Sequence, residues 1–443
     1  MKPLRPIALL VVGAALVAGM LVPATPAAGA LAVSVEMSGT LKTGVTFTRY
    51  LLTPGPVRVN VVTVDLAKAS TTASPSTIDV TVGSRGRVGG QSKTSAYAIA
   101  TKALAAINGD FGGAVSPRRP EHPYVQNGEL WTSGTAPANN VGVSVPAPYA
   151  TNPPMGYAER TVLHVTATSG QVPLDVTSWN AEQPVLDDIV GFTARGAGTA
   201  VPNPVNCNVR LGGPAALATT WANARNGIVD TYTVKESLRC AQSSYAIPSG
   251  RDVVLSALNG SAGAGALGAL LPGDTVRIRW ALGLPGVLDS LGGRPELIEA
   301  GQRAGTGTGG TFVCDLSIKD NLCKAQPRSL VSMTKECSDG VTGCKVSLVE
   351  VDGRSSSWSV GLKLDDLATF LLTTLNSYSA MNLDGGGSAT MYVQQTGPWC
   401  LTMLTTGCLV SSLANNNGTE RAVTNAVVLL PWIDPKEPHP SGG

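Results

Sequence analysis

The segment between residues 346 and 393 alternates strand and helix patterns around a turn of three glycines. Residues 346–351 carry β-branched side chains and predict a strand. Apolar residues then recur at helical spacing on one face, namely Leu364, Leu367, Ala368, Leu371, Leu372 and Leu375. Short strands are predicted at 380–383 and 389–393, on either side of the glycine turn. This order predicts an α+β fold, mixed and strand-rich, with helices packed on the sheet.

The N-terminal residues 1–30 have the pattern of a secretory signal peptide. Lys2 and Arg5 precede an apolar run over 7–22, and small residues follow at 27–30. An uncleaved membrane anchor is the alternative, although the run is short for a span of about 20 residues. We therefore expect a secreted, extracellular protein with no membrane contact after cleavage.

The charge and cysteine content agree with export. The formal net charge is +2, and the signal segment holds two basic and no acidic residues, so nothing here favours a nucleic-acid partner. The eight cysteines include no C-x-x-C, and in an oxidising compartment they are expected to pair. Free buried thiols are the alternative. The expected pairs are Cys314–Cys323, Cys337–Cys344 and Cys400–Cys408, which leaves Cys207–Cys240.

The remaining organisation is predicted from composition. Residues 31–433 are enough for one large domain or two smaller ones, and residues 434–443 are expected to form a disordered tail. The 51 glycines and 30 prolines, with only 14% charged residues, suit a chain rich in strands and loops.

Several short polar motifs at predicted strand ends are candidates for chemistry. Asp384 ends a strand before Gly385, Gly386 and Gly387, where backbone N–H groups are able to cradle an anion. A glycine-rich hairpin that Asp384 merely caps is the alternative. Arginines at three other motifs offer planar forks for phosphate, although each alone is more typical of a surface ion pair. These three motifs are Pro327-Arg328-Ser329, Asp352-Gly353-Arg354 and Glu420-Arg421. A further polar motif, Asn108-Gly109-Asp110, lies near glycines and is able to place Asn108 and Asp110 in a cleft, with an ordinary tight turn as the alternative.

Taken in chain order, these motifs resemble those of the phosphodiester glycosidase family. The matching elements are Asn108-Gly109-Asp110-Phe111, Gly292-Gly293-Arg294-Pro295, Pro327-Arg328-Ser329, Asp352-Gly353-Arg354, residues 359–368, residues 382–390 and residues 420–425. The match is best over 325–431, and 114–290 does not align. The resemblance therefore implies one phosphodiester glycosidase-like domain over 31–433, with a variable, insert-rich region over about 114–290. Gly112, Ser329 and Asp366 depart from the family's aromatic, threonine and glutamate.

The resemblance implies a glycoside hydrolase that cleaves a sugar-1-phosphodiester in a cell-wall or extracellular glycan. Asp384 is expected to supply the carboxylate at the anomeric carbon. Further catalytic candidates are Glu420, Asp352 and Asp110; candidates for substrate binding are Asn108, Arg328, Arg354, Gly385, Gly386, Gly387, Ser388 and Arg421, the last with internal pairing as the alternative.

Other functional classes fit less well. A non-catalytic carbohydrate-binding or cell-wall protein on the same fold would need aromatic platforms, for which Trp179, Trp221, Trp358 and Trp399 are candidates. Of the three histidines, only His122 is able to approach the site, and a surface-loop position is favoured for it. A Ser-His-Asp hydrolase, a zinc site and a P-loop are therefore disfavoured. We expect no cofactor, with oxygen-ligated Ca²⁺ left open.

Overall fold

A computed structural model describes most of the chain between residues 31 and 431. The described residues are 31–69, 76–82, 88–112, 118–126, 129–134, 138–144, 155–161, 165–169, 172–180, 184, 186–197, 200–214, 228–280, 287–304, 323–339 and 343–431. The expected signal segment and tail, together with Cys314, His164, His439 and Trp221, lie outside them. Among the described helices, none is long and apolar enough to span a bilayer.

The larger of two stacked sheets has eight strands, all paired antiparallel. With elements numbered in chain order, its spatial order is β1 (Ala32–Lys42), β2 (Val45–Thr53), β3 (Val57–Asp65), β22 (Lys345–Val351), β21 (Arg328–Met333), β23 (Ser379–Asn382), β19 (Glu296–Glu299) and β20 (Gln302–Arg303). The chain therefore returns after almost 280 residues to place β22 beside β3.

The smaller stacked sheet has six strands. They are β25 (Thr402–Met403), β26 (Cys408–Leu409), β24 (Met391–Val393), β6 (Ala105–Asn108), β28 (Asn425–Pro431) and β4 (Ser76–Val82). Apolar side chains of both sheets, among them Val62, Leu348, Ile107 and Val427, share one buried core between the sheets. A two-stranded ribbon, β5 (Ser92–Lys93) with β27 (Ala422–Val423), lies beside this pair.

Two helices complete a helix–sheet–sheet–helix arrangement. Helix α6 (Leu364–Thr374) packs its apolar face on the outer side of the large sheet, where Leu367 and Phe370 join Val59 and Val351. Helix α2 (Thr94–Ala100) covers the small sheet with Tyr97 and Ala98. The remaining helices are single turns or short, namely α1 (Leu66–Ala69), α3 (Ala194–Ala197), α4 (Ala262–Gly268) and α5 (Glu336–Asp339). The predicted strand-rich α+β class is confirmed.

The insert-rich region forms two further sheets. One has five strands, β10 (Met155–Thr161), β9 (Ala138–Ser144), β18 (Val287–Gly293), β7 (Tyr124–Gln126) and β8 (Glu129–Thr132). The other is a closed barrel of β11 (Val165–Ser169), β12 (Val172–Trp179), β13 (Ile189–Thr193), β16 (Val253–Ala257), β14 (Cys207–Gly212), β15 (Ile228–Val234) and β17 (Thr275–Trp280). The barrel has its own apolar core, which includes Val209, Leu255 and Leu267.

Three of the expected disulfides are confirmed: Cys207–Cys240, Cys337–Cys344 and Cys400–Cys408. Cys323 is also disulfide-bonded. Within the described residues there is no free cysteine.

Candidate functional site

A cavity of about 300 Å³ lies at one edge of the large sheet, beside the start of β21 and the ends of β22 and β23. Its wall is strongly cationic, because four arginines face one carboxylate. The lining residues are Phe111, Arg294, Gln326, Arg328, Arg354, Asn382, Asp384, Gly385, Gly386, Gly387 and Arg421. Seven of the twelve residues predicted for the site therefore meet in one wall, namely Asp384, Arg328, Arg354, Gly385, Gly386, Gly387 and Arg421.

The glycine turn follows β23 and ends in a one-turn 3-10 helix, Gly386–Ser388. Its N–H groups shape the turn instead of facing a ligand: Gly386 donates to Pro327 O at 2.8 Å, and Ser388 to Gly385 O at 3.1 Å. The Gly385 N–H bonds to the Asp384 side chain. The expected backbone cradle for an anion is thus taken up internally at these three residues.

Glycine is required here for a different reason, which is the close approach of two guanidinium groups. A Cβ on Gly386, whose φ is +60°, would lie 2.9 Å from Arg354 Nη2. A Cβ on Gly387 would overlap Arg421 Nη2. The missing side chains let both arginines lie against the turn that carries Asp384.

Among the described residues that line this cavity, Asp384 is the only carboxylate. Burial raises its pKa from 3.8 to about 6, and the negative charge of Asp110 acts in the same direction. A hydrogen bond with the Ser388 side chain and the charge of Arg421 partly offset this rise. A carboxyl group that titrates near neutrality is able to exchange protons with a substrate or water.

Arg354 and Arg421 are held by neutral oxygens. Arg354 donates Nη1 to the main-chain oxygen of Asn415 at 2.8 Å, and Nε and Nη2 to Gln326 Oε1 at 3.2 and 3.1 Å. Arg421 donates Nη2 to Asn416 Oδ1 at 3.1 Å. In the part of the chain that is described, neither forms an ion pair within 4.0 Å of a carboxylate. Their positive charge therefore remains available to an anionic ligand.

The other two arginines are tied more firmly. Arg328 is 3% exposed and donates to Lys324 O at 2.7 Å and to Leu362 O at 3.3 Å. Arg294 forms an ion pair with Glu121 at 3.1 Å and lies 5.3 Å from the centre of the Phe111 ring. Phe111 is the one aromatic side chain among the described lining residues, and it presents a flat apolar surface that suits a sugar ring.

Asn108 and Asp110 lie behind the wall. Asn108 is fully buried; its amide donates to Asp384 O at 2.6 Å and accepts from Ser329 Oγ at 2.6 Å. Asn108 therefore fixes the backbone of Asp384, and its own side chain does not line the cavity. Asp110 accepts the Phe111 N–H at 2.7 Å and contacts His122 Nδ1 at 2.5 Å.

The favoured surface position for His122 is wrong, because its side chain is completely buried. Its backbone N–H also donates to Asp110 at 2.9 Å, while Nε2 is buried without a partner. The histidine ring packs edge-on against Phe111, with ring centres 6.2 Å apart. The Asp110–His122 pair therefore supports the aromatic part of the wall.

Asp352, Glu420 and Ser388 complete the predicted set, and none of them lines the cavity. Asp352 is buried and accepts from Ser412 N at 2.6 Å and Trp358 Nε1 at 2.8 Å. Glu420 accepts from the N–H and Oγ of Ser95, at 2.8 and 2.5 Å, near the start of α2. Ser388 is buried beneath the turn. These contacts are those of groups that hold loops in place.

Four lining residues received no role from the sequence: Phe111, Arg294, Gln326 and Asn382. Phe111, Arg294 and Asn382 lie inside the quoted motifs, which was the available signal. Gln326 immediately precedes the motif Pro327-Arg328-Ser329, so the motif ends one residue short of it.

The family comparison agrees with the motifs that build this cavity. Residues 219–430 match the family model described as phosphodiester glycosidase. The resemblance to the phosphodiester glycosidases is confirmed over that segment. The matched segment contains every described cavity-lining residue except Phe111. A search of curated proteins finds no match.

Solved structures share the fold at low sequence identity. A hypothetical protein from Synechocystis is 16% identical with a TM-score of 0.61, and the match covers 88% of this chain but 62% of that one, less than two thirds of its length. A candidate exported protein from Burkholderia pseudomallei is 17% identical with a TM-score of 0.64, covering 90% of this chain and 97% of that one. The zebrafish N-acetylglucosamine-1-phosphodiester alpha-N-acetylglucosaminidase catalytic domain, auto-inhibited by its pro-peptide, aligns at 13% identity and a TM-score of 0.39, covering 91% and 89%.

Proposed function

We propose that this protein is an exported hydrolase that cleaves the glycosidic bond of a sugar-1-phosphodiester in a cell-wall or extracellular glycan. One observation carries the proposal. Asp384 shares a 300 Å³ cavity with Arg354 and Arg421, whose charges have no carboxylate partner among the described ion pairs. A carboxylate beside two available guanidinium groups suits a substrate that joins a sugar to a phosphate.

The chemistry of the leaving group explains why one carboxylate is enough. Ordinary glycosidases use two, because a sugar alkoxide must be protonated as it departs. A phosphomonoester is a stable anion, with a second pKa of about 6, and departs without a dedicated acid. The bond between the anomeric carbon and the phosphate oxygen breaks, the electron pair leaves with phosphate, and water supplies the new oxygen. The proton from water passes to the ionised Asp384 carboxylate.

Each part of the wall has a role in this proposal. Arg354 and Arg421 hold the phosphate and stabilise its growing charge, with Arg328 adding to the positive potential. The Phe111 ring supports one face of the sugar. Asn108 keeps the main chain of Asp384 in place.

Export is part of the proposal. The disulfides favour an oxidising compartment. The signal-like pattern over residues 1–30 agrees with it. The fold similarity to a candidate exported protein of Burkholderia pseudomallei points in the same direction.

The rival class, a non-catalytic carbohydrate-binding protein, receives less support. Trp179 and Trp399 are 5% and 7% exposed, so neither forms a surface platform. Trp358 donates to Asp352 and stacks under Arg58, whose guanidinium carbon lies 3.8 Å from the ring centre. These three tryptophans are occupied within the fold.

The test is product release from a panel of sugar-1-phosphodiesters by the wild type, Asp384→Asn and a control, Asp366→Asn, on helix α6. We expect turnover by the wild type and the control, and loss of about 10³-fold or more in Asp384→Asn. Saturable binding without product in the wild type would favour the binding protein. Full turnover by Asp384→Asn would remove the catalytic assignment.

A further inference from the structure

We infer that a buried cluster of Glu350, Asp352 and Asn415 positions Arg354 and Arg421 and thereby sets the affinity of the cavity for phosphate. The inference rests on the proposed function only in taking phosphate as the ligand. None of the three residues lines the cavity. They are positioning residues that act through the arginines, and Glu350 and Asn415 were not singled out from the sequence.

The two acidic residues lie where the layer between the stacked sheets changes from apolar to polar. Side chains at alternate positions of a strand share a face, so Glu350 points the same way as Val346 and Leu348, which belong to the core between the sheets. Asp352 continues this face just beyond the strand. Both carboxylates are completely buried. Burial and the charge of Asp352 raise the pKa of Glu350 well above 4.5.

Asn415 joins the two carboxylates to the cavity. Its amide nitrogen donates to Glu350 Oε1 at 2.9 Å and to Asp352 Oδ1 at 3.2 Å. Its amide oxygen accepts the Gly353 N–H at 2.8 Å, and its main-chain oxygen accepts from Arg354 Nη1 at 2.8 Å. The amide is thus used at both ends, so its main-chain oxygen has a fixed position from which to orient the guanidinium.

The same one-turn helix carries the anchor of the second arginine. Leu413–Asn416 forms a 3-10 helix that is capped by Ser412. The Ser412 N–H is held by Asp352 Oδ1 at 2.6 Å, and the next residue after Asn415 accepts from Arg421 Nη2 at 3.1 Å. Consecutive asparagines therefore hold Arg354 and Arg421, and both depend on the acidic pair beneath them.

Two buried carboxylates are a costly way to fill a core position. Apolar residues of similar volume are often at least as stabilising as a buried ionic group. Beside the cluster the layer holds two more buried polar residues: Asn60 donates to Glu350 Oε2 at 2.8 Å and accepts from Arg49 Nε at 2.8 Å. Farther along the same strands the layer is apolar, as at Val62 and Leu348. The cost of the cluster is explained if it orients the guanidinium groups of Arg354 and Arg421, because hydrogen bonds are directional and apolar packing is not.

The experiment measures binding of inorganic phosphate by calorimetry, with KM and kcat for the diester that the wild type cleaves best. In Glu350→Ala we expect phosphate affinity to fall by about tenfold, the effect of leaving one buried hydrogen-bond donor of Asn415 without this partner. KM should rise in parallel while kcat changes less. Glu350→Gln keeps an acceptor for Asn415 and should restore affinity to within about threefold. Arg354→Gln serves as the reference, and combining it with Glu350→Ala should add little further loss.

The outcomes separate the two proposals. A Glu350→Ala protein with a lower melting temperature but wild-type phosphate affinity would show that the cluster only supports the fold, and would overturn the inference. If Glu350→Ala does not fold, Asn415→Ser decides alone by the same affinity criterion. Wild-type phosphate binding without turnover of any diester would refute the hydrolase and leave the positioning role standing. Absence of phosphate binding by the wild type would overturn both.

Discussion

Replacing Asp384 by asparagine is expected to stabilise the fold at neutral pH while it abolishes turnover. The pKa of this carboxyl is about 6 in the folded protein, against an ordinary value of 3.8. Between these two values the folded protein retains a proton that the unfolded chain has released. The free energy of unfolding therefore falls as the pH rises through this window, and above pH 6 the full cost of an ionised, buried Asp384 is present.

The size of this cost follows from the shift. A difference of about 2 pKa units corresponds to about 3 kcal/mol at 1.36 kcal/mol per unit. Asp384 is buried except where it faces the cavity, so solvent screening there reduces the expected gain in Asp384→Asn to about 1 to 2 kcal/mol at pH 7.5. Well below pH 3.8 the residue is protonated in both the folded and the unfolded wild type, and the gain should vanish.

Urea denaturation of the wild type and Asp384→Asn at pH 4 and pH 7.5 measures the effect without the ionic screening that guanidinium adds. Asp366→Asn, on helix α6 and away from the cavity, is the matched control and should show no such pH dependence. A variant that is less stable than the wild type at pH 7.5, with a difference that shrinks toward pH 4, would refute the reasoning. The arginines would then outweigh burial and hold the carboxylate ionised.

Three further predictions concern activity and binding. Asp110→Asn removes a charge that raises the pKa of Asp384, so the acidic limb of the kcat/KM profile, expected near pH 6, should move to lower pH; an unmoved limb contradicts this. Inorganic phosphate should inhibit competitively and bind the Asp384→Asn variant more tightly, by about 2- to 10-fold, because one repelling charge is gone; weaker binding there argues against a shared site. Gly387→Ala should displace Arg421 and raise KM by about tenfold, whereas Gly265→Ala, where a Cβ meets nothing within 4 Å, should leave KM unchanged and add about 0.5 to 1 kcal/mol of stability.

The parts of the fold that were predicted correctly are those with a local signal. The helical spacing between Leu364 and Leu375 depends only on neighbours in the chain, and α6 forms there. The pairing of β22 with β3, which joins Lys345 to Asp65, has no such signal, because strand partners are chosen by distant packing. The barrel within the insert-rich region was missed for the same reason: its short strands close on one another only in three dimensions.

The sequence predicted which motifs surround the candidate site more successfully than which of their side chains face the cavity. Asp384, Arg354 and Arg421 line the cavity as expected. Asp384 and Arg354 lie in loops just after strands, and Arg421 lies just before β27. Asp352 also ends a strand, yet it points into the layer between the sheets. Both faces of β22 are buried, so the alternation that separates inside from outside in a half-exposed strand gives no distinction there. An acidic residue in such a strand is as compatible with internal bonding as with catalysis.

The placement of charge around the cavity explains why Arg354 and Arg421 are held by amide oxygens. A carboxylate partner would fix Arg354 or Arg421 but would also neutralise it, and an anionic ligand would then have to displace that partner. Oxygens of Gln326, Asn415 and Asn416 orient the guanidinium groups while leaving their charge for the ligand. The carboxylates of Glu350 and Asp352 do not contact the arginines. They accept from the Asn415 side chain, whose main-chain oxygen in turn accepts from Arg354. Order and charge are thereby supplied by different groups, which is what a preorganised phosphate site requires.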